Sequence, residues 1–102
     1  MSPTINAVDA VHIRIRGTVQ GVGFRPTVWR VATGLGLVGS VRNDAEGVWV
    51  QLQGRSAQLD QFADALRDAL PPLARLDQLL SHAAPVDLAL TDFSIANSAE
   101  GS

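Results

Sequence analysis

The glycine-rich stretch that ends at Arg25 is the part of this sequence best suited to chemistry. It runs Gln20-Gly21-Val22-Gly23-Phe24-Arg25 and precedes a helical pattern. Glycines let successive backbone N–H groups point into one concavity, and the N-terminus of a following helix adds partial positive charge there. The guanidinium of Arg25 can hold two phosphate oxygens. The stretch therefore predicts a phosphate-binding loop over residues 20–25, although a surface arginine beside a tight turn has the same spacing.

Two other phosphate-binding motifs are excluded by residue type. The dinucleotide-binding fingerprint needs a third glycine where this chain has Pro26. The Walker loop needs a lysine, and the sequence contains none. Any phosphate site at this loop must therefore use its backbone and Arg25.

Composition excludes several further classes of site. Ten acidic and eight basic residues give a net charge of -2, whereas nucleic-acid-binding domains carry a strongly positive stripe. The chain has no cysteine, and His12 and His82 lack neighbouring ligand residues, so we predict no metal site. No apolar run approaches the roughly 18 residues of a membrane span, and the first residues do not resemble a signal peptide. We expect a cytoplasmic protein without membrane contact.

Hydrophobic periodicity predicts the elements around the loop. Period-two alternation over residues 11–16 indicates a strand, and apolar spacings of three and four predict a helix over 25–35. Strands over 37–43 and 48–53 would form a hairpin through the polar turn 44–47. These elements lead into and out of the loop, and the hairpin follows directly.

The rest of the chain completes a known order of elements. Ser56 is the predicted N-cap of a second helix that stops at Pro71-Pro72. A weaker strand over 75–82 is inserted before a final short strand over 92–95. The order βαββαβ predicts an α+β, ferredoxin-like fold with an antiparallel sheet and two helices on one face. We expect a single domain with its core over about 11–96 and flexible ends.

The loop and its surroundings resemble the acylphosphatases. Gly17-Thr18-Val19-Gln20-Gly21-Val22-Gly23-Phe24-Arg25 resembles their signature loop, and the likeness extends over about residues 11–96 through the segments 35–39, 41–43 and 47–48. The resemblance implies that Arg25 binds the phosphate of an acyl phosphate and that Asn43 orients the attacking water. An amide suits that task because it both accepts and donates hydrogen bonds. Without the resemblance, Asn43 fits equally well as a turn residue before Asp44.

Departures from small acylphosphatases point to one branch of relatives. Pro26, Val28 and Ser40 differ from the usual residues, and the segment 23–30 instead resembles the N-terminal domain of HypF-type carbamoyltransferases. The segments 71–76 and 93–98 resemble the end of that domain.

The resemblance implies a domain excised from a larger protein that makes the cyanide ligands of [NiFe]-hydrogenase. That protein would use zinc and ATP in other domains and pass a carbamoyl group to a maturation protein. This domain would need no cofactor and would hydrolyse carbamoyl phosphate to carbamate and phosphate.

Three other functions remain open on the sequence. A standalone acylphosphatase of broad specificity would share the loop, and a non-catalytic anion-binding or docking domain would need Arg25 but not Asn43. An RNA-recognition module shares the strand order but needs several stacking aromatic residues in a basic domain, whereas Trp49 stands alone. The remaining arginines, Arg14, Arg16 and Arg42, would either extend a positive rim around the loop or lie on a solvated sheet face.

Overall fold

The computed structural model describes residues 8–96. Its elements, in chain order, are β1 (Asp9–Thr18), α1 (Phe24–Gly34), β2 (Val38–Asp44), β3 (Gly47–Gly54), α2 (Ser56–Asp68), β4 (Arg75–Ala84) and β5 (Phe93–Ile95). Every predicted helix and strand is present, with its ends within about two residues of those predicted from the sequence. Of the ends that we predicted to be flexible, residues 1–7 and 97–102 lie outside the described residues, as does the end of the segment 93–98. Asp9 and Ala10, which we placed in the flexible N-terminal end, belong to β1.

The strands form one sheet in the order β4-β1-β3-β2-β5. β1 pairs antiparallel with β3 and β4, and β2 pairs antiparallel with β3. This is the predicted ferredoxin-like arrangement. β5 runs parallel to β2 at the far edge, so the sheet is mixed rather than wholly antiparallel.

The prediction that the strand over 75–82 is an insertion was wrong. β4 completes the ferredoxin-like sheet beside β1, and β5 is the added strand at the opposite edge. β4 is an edge strand with mostly exposed side chains, and its adjacent Leu79 and Leu80 break the period-two alternation. The sequence pattern was weak for that physical reason.

One face of the sheet packs against the helices in a single core. Helix α1 contributes a stripe of apolar residues four apart, Phe24, Val28 and Ala32, and α2 contributes Phe62 and Leu66. The strands contribute alternate residues, among them Ile13, Ile15, Val41, Val48, Val50 and Leu52. Full burial of each large apolar side chain stabilises the fold by about 1.5–3 kcal/mol. The ends of β1 and α1 that flank the glycine-rich loop are therefore fixed by this core.

The start of α2 differs from the prediction. Arg55, in extended conformation, occupies the N-cap position, and Ser56 is the first helical residue. The hydroxyl of Ser56 donates to Oδ2 of Asp9 in β1 instead of capping its own helix. Neither α1 nor α2, which are the helices of residues 8–96, is long and apolar enough to cross a membrane.

Candidate active site

The glycine-rich loop connects the end of β1 to the start of α1. Val19 and Phe24, at its two ends, are 2% and 1% exposed, so apolar packing anchors both ends. Gly21 and Gly23 have φ values of 75° and 78°, in the left-handed region that other L-residues disfavour. A Cβ atom at either position would meet only open space. The glycines are therefore required by the backbone conformation and not by lack of room.

Backbone N–H groups of this loop are free to bind an anion. Gly23 is the N-cap of α1 and offers no side-chain cap, and the first turn of the helix holds no acidic residue. Within residues 8–96, the N–H groups of residues 21–25 donate to no other group. Free N–H groups at a helix N-terminus attract negative charge, which the helix dipole stabilises further. The predicted phosphate loop thus has the donors that such a site needs.

Arg25 lies in the first turn of α1 and is half-buried. Its Nη1 atom donates to the carbonyl oxygen of Ala96 over 3.4 Å, a long and weak bond. The N–H of Ala96 in turn donates to the carbonyl oxygen of Val41 at 2.8 Å. This chain of contacts links the guanidinium to β2, two residues before Asn43.

Asn43 is one residue from the end of β2 and only 9% exposed. It faces the same side of the sheet as the buried Val41, because side chains alternate along a strand. That side carries the helices and therefore the start of α1. The Oδ1 atom of Asn43 is buried and accepts no hydrogen bond from any described residue. An unpaired buried carbonyl costs about 1–3 kcal/mol, which a bound water would relieve.

Gln20 connects the loop to the hairpin that carries Asn43. Its Nε2 atom donates to the carbonyl oxygen of Asp44 at 2.9 Å and to that of Gly47 at 3.0 Å. Asp44 and Gly47 are paired with each other at the end of the β2–β3 hairpin. The Gln20 side chain therefore ties the loop to the hairpin.

Two ion pairs surround the same hairpin end. Nη1 of Arg14 lies 2.5 Å from Oδ1 of Asp44, and Nη2 of Arg16 lies 3.1 Å from Oε1 of Glu46. The hydrogen bond from Arg14 lowers the pKa of Asp44 below its ordinary value, and the same bond raises the pKa of Arg14. Arg14 also lies 4.9 Å from the ring centroid of Trp49, on the sheet face opposite the helices. Both arginines are thus paired with carboxylates on the face opposite the helices and do not extend a positive rim.

The sequence and the architecture have counterparts among known proteins. The acylphosphatase family profile matches residues 11–95. The chain belongs to the acylphosphatase family. The carbamoyltransferase HypF of Rhodobacter capsulatus is 52% identical over 91 residues, which are 89% of this chain and 12% of that protein. An acylphosphatase of Mannheimia succiniciproducens is 44% identical over 66 residues, which are 64% of this chain and 72% of that protein.

The structural comparison agrees with the sequence comparison. Full-length HypF, solved in a phosphate- and nucleotide-bound form, superimposes on 95% of this chain with a TM-score of 0.85 and 29% identity. This chain spans 13% of that HypF chain and 12% of the Rhodobacter relative. The resemblance to acylphosphatases and to the N-terminal domain of HypF-type carbamoyltransferases is therefore confirmed.

Within this acylphosphatase-like domain, two sets of contacts link the loop to β2. Arg25 reaches the middle of β2 through Ala96, and Gln20 reaches the hairpin end next to Asn43. Sequence reasoning missed the role of the Gln20 side chain, because its partners lie 24 and 27 residues away. The alternation of Val41 and Asn43 was a signal that Asn43 faces the core. The catalytic roles of Arg25 and Asn43 remain predictions.

Proposed function

We propose that this domain hydrolyses an acyl phosphate. Water attacks phosphorus, the bond between phosphorus and the acyl oxygen breaks, and the products are a carboxylate and inorganic phosphate. The proton of the attacking water passes to a phosphate oxygen, so no strong general base is needed. Catalysis then rests on positioning and on stabilisation of charge.

The phosphate end of the substrate would occupy the concavity of residues 20–25. The free N–H groups of residues 21–25 and the start of α1 supply donors and partial positive charge. Arg25 supplies a guanidinium with five N–H donors, one of which is engaged by only a long bond to Ala96. A phosphate would gain stronger, charge-assisted bonds from the same group.

The unpaired Oδ1 atom of Asn43 is the observation that carries the proposal. It can accept a hydrogen bond from a water molecule without removing the proton, and so hold the oxygen of that water toward phosphorus. A domain that only binds an anion needs its phosphate loop but not this buried, unpaired amide oxygen on the neighbouring hairpin. Since such an amide lowers stability, its presence favours hydrolysis over anion binding alone.

Carbamoyl phosphate is the substrate that we propose, with carbamate and phosphate as products. The 52% identity to the HypF carbamoyltransferase supports this choice, and so does the match to full-length HypF. The reaction would be the first step of carbamoyl transfer for cyanide-ligand synthesis in [NiFe]-hydrogenase maturation. Other domains of a parent chain and a carbamoyl-accepting maturation protein would be its partners. A standalone acylphosphatase with broad specificity, which the 44% identical relative supports, is the alternative.

The test is phosphate release from carbamoyl phosphate and from acetyl phosphate. The unmodified domain is compared with Arg25→Ala, Asn43→Ala and, as a control on the other helix, Arg67→Ala, whose guanidinium pairs with Asp64 of α2. We expect Arg25→Ala to lose turnover and phosphate binding, and Asn43→Ala to lose turnover by about 100-fold or more while it still binds phosphate. Equal loss of phosphate binding in both variants would overturn the division of roles. A higher kcat/KM for acetyl phosphate than for carbamoyl phosphate would favour the alternative.

A further inference from the structure

Gln20 forms a direct hydrogen-bonded link between the phosphate loop and the hairpin that carries Asn43. The loop belongs to the β1–α1 connection and Asn43 to β2, so the chain itself does not fix their separation. Gln20 spans this gap with its two bonds of 2.9 and 3.0 Å to the carbonyl oxygens of Asp44 and Gly47. These two residues follow Asn43 and close the hairpin.

The Gln20 amide has no donor left for a phosphate. A side-chain NH₂ group carries two hydrogens, and each is directed at one of the two carbonyl oxygens. The remaining atom, Oε1, only accepts hydrogen bonds and would repel an anion. The side chain of Gln20 is therefore unsuited to be a phosphate ligand, although its residue lies within the predicted phosphate loop.

The hairpin end provides a fixed point for this link. Oδ1 of Asp44 accepts from Nη1 of Arg14 at 2.5 Å and from the backbone N–H of Glu46 at 2.9 Å. The loop contains two glycines in left-handed conformation, and its end at Gly23 is held to α1, because the carbonyl oxygen of Gly23 accepts from the hydroxyl of Thr27 at 3.1 Å. Gln20 therefore connects a loop that is held to α1 with a hairpin end that is held to β1.

We propose that Gln20 is a positioning residue that sets the distance between the phosphate held by the loop and the water held by Asn43. The proposal rests on the hydrolytic function proposed above. Hydrolysis depends on the separation of these two groups, and a misplacement of about 1 Å can cost about 100-fold in rate. Binding of phosphate depends on the N–H groups of the loop and on Arg25, and does not require a fixed distance to Asn43. Loss of the link should therefore lower kcat much more than it weakens the binding of phosphate.

Gln20→Met tests this separation of effects, because methionine keeps the size and neutrality of the side chain and removes both donors. We expect kcat for an acyl phosphate to fall at least tenfold, with the dissociation constant of inorganic phosphate changed less than threefold. Gln61→Met, an exposed glutamine on α2, is the matched control and should leave both values unchanged. An unchanged kcat in Gln20→Met would overturn the proposal, and so would an equal loss of kcat and of phosphate affinity.

A second measurement applies even if the unmodified domain has no turnover. Hydrogen exchange is followed with and without inorganic phosphate, and we expect phosphate to slow exchange in both the loop and the hairpin residues 43–47. In Gln20→Met the effect should remain in the loop and disappear from the hairpin. Such a result without any turnover would support the link and contradict the hydrolase. If phosphate still slows hydrogen exchange in the hairpin of Gln20→Met, the positioning role is overturned.

Discussion

Nη1 of Arg25 lies 3.4 Å from the carbonyl oxygen of Ala96, the last described residue of the chain. The N–H of Ala96 is bonded to the carbonyl oxygen of Val41, so Ala96 lies against β2. A phosphate bound in the loop would compete with this carbonyl for the same guanidinium. The segment at the end of β5 and the proposed anion site are therefore linked through one side chain.

Trp29 should influence phosphate binding through this segment. It follows Arg25 by one helical turn, and its Nε1 donates to the carbonyl oxygen of Phe93 in β5 at 3.0 Å. Trp29→Phe keeps an aromatic ring but removes the donor, which should lower the free energy of unfolding by about 1 kcal/mol. A looser β5 holds Ala96 less firmly, so its carbonyl oxygen competes less with phosphate for Arg25. We therefore also expect the dissociation constant of phosphate to fall by about threefold. Urea unfolding and calorimetric titration with phosphate measure the two effects.

The control for Trp29→Phe is Thr33→Ala on the same helix. Thr33 is exposed, and among residues 8–96 its hydroxyl bonds to carbonyl oxygens of its own helix alone, those of Trp29 and Arg30. This variant should leave phosphate affinity unchanged. If Trp29→Phe lowers stability with no change in phosphate affinity, β5 does not influence Arg25.

Asn43→Val should increase stability and abolish turnover. The buried Oδ1 of Asn43 lacks a hydrogen-bond partner in the described structure, and valine replaces the amide with an apolar group suited to a strand. We expect the free energy of unfolding to rise by about 1 kcal/mol. Loss of the water-holding group should lower kcat by about 100-fold or more. Thermal or urea unfolding and an assay of phosphate release give both numbers.

Val41→Ala, two residues earlier on the same face of β2, shows how much the stability of the domain responds to a change of a buried side chain in this strand. Val41 is fully buried, and its truncation should destabilise the domain by about 2 kcal/mol. A destabilised Asn43→Val alongside it would mean that the Asn43 amide is satisfied in solution and contributes to the fold.

Gly23→Ala should weaken the anion site through backbone strain alone. Gly23 has a φ of 78°, and its Cβ would meet nothing within 4 Å. The left-handed conformation costs a non-glycine residue about 1–2 kcal/mol, and the loop can escape this strain only by moving its N–H groups. We expect lower stability by that amount and at least tenfold weaker phosphate binding. Asn, which tolerates this conformation better, should give a smaller loss in both measurements.

Gly34→Ala is the matched control for Gly23→Ala. Gly34 ends α1 without a positive φ, and its Cβ would also meet only open space. Alanine at this position should leave phosphate binding unchanged and should not reduce stability. Equal behaviour of the two alanine variants would show that the loop does not require the left-handed conformation.

Local patterns predicted most of the fold, and contacts distant in sequence account for what they missed. The helices and the glycine-rich loop follow from short-range spacing of apolar residues and glycines. The place of β4 depends on pairing with β1 far earlier in the chain, since Gly17 lies opposite Leu76, 59 residues later, and Ala10 opposite Ala84, 74 residues later. The bond from Arg14 to Asp44 spans 30 residues, and those of Gln20 span 24 and 27. A polar residue in a loop carries no sign of such partners.

The ion pair of Arg14 and Asp44 should make stability depend on pH. The hydrogen bond from Arg14 lowers the pKa of Asp44 in the folded state below the ordinary value of 3.8. Above that value the carboxylate is ionised in both states, and the pair contributes its full stabilisation. Below it the unfolded chain takes up a proton first, so the stabilisation is lost as the pH falls through the lower pKa of the folded state.

Asp44→Asn should therefore be less stable than the unmodified domain at pH 7, by up to about 1 kcal/mol, and this difference should shrink toward pH 3. Urea unfolding at both pH values measures it, with Asp60→Asn on the exposed face of α2 as the control. A difference that stays constant between pH 7 and pH 3 would mean that the charge of Asp44 does not stabilise the hairpin, and the link from Gln20 would then rest on backbone pairing alone.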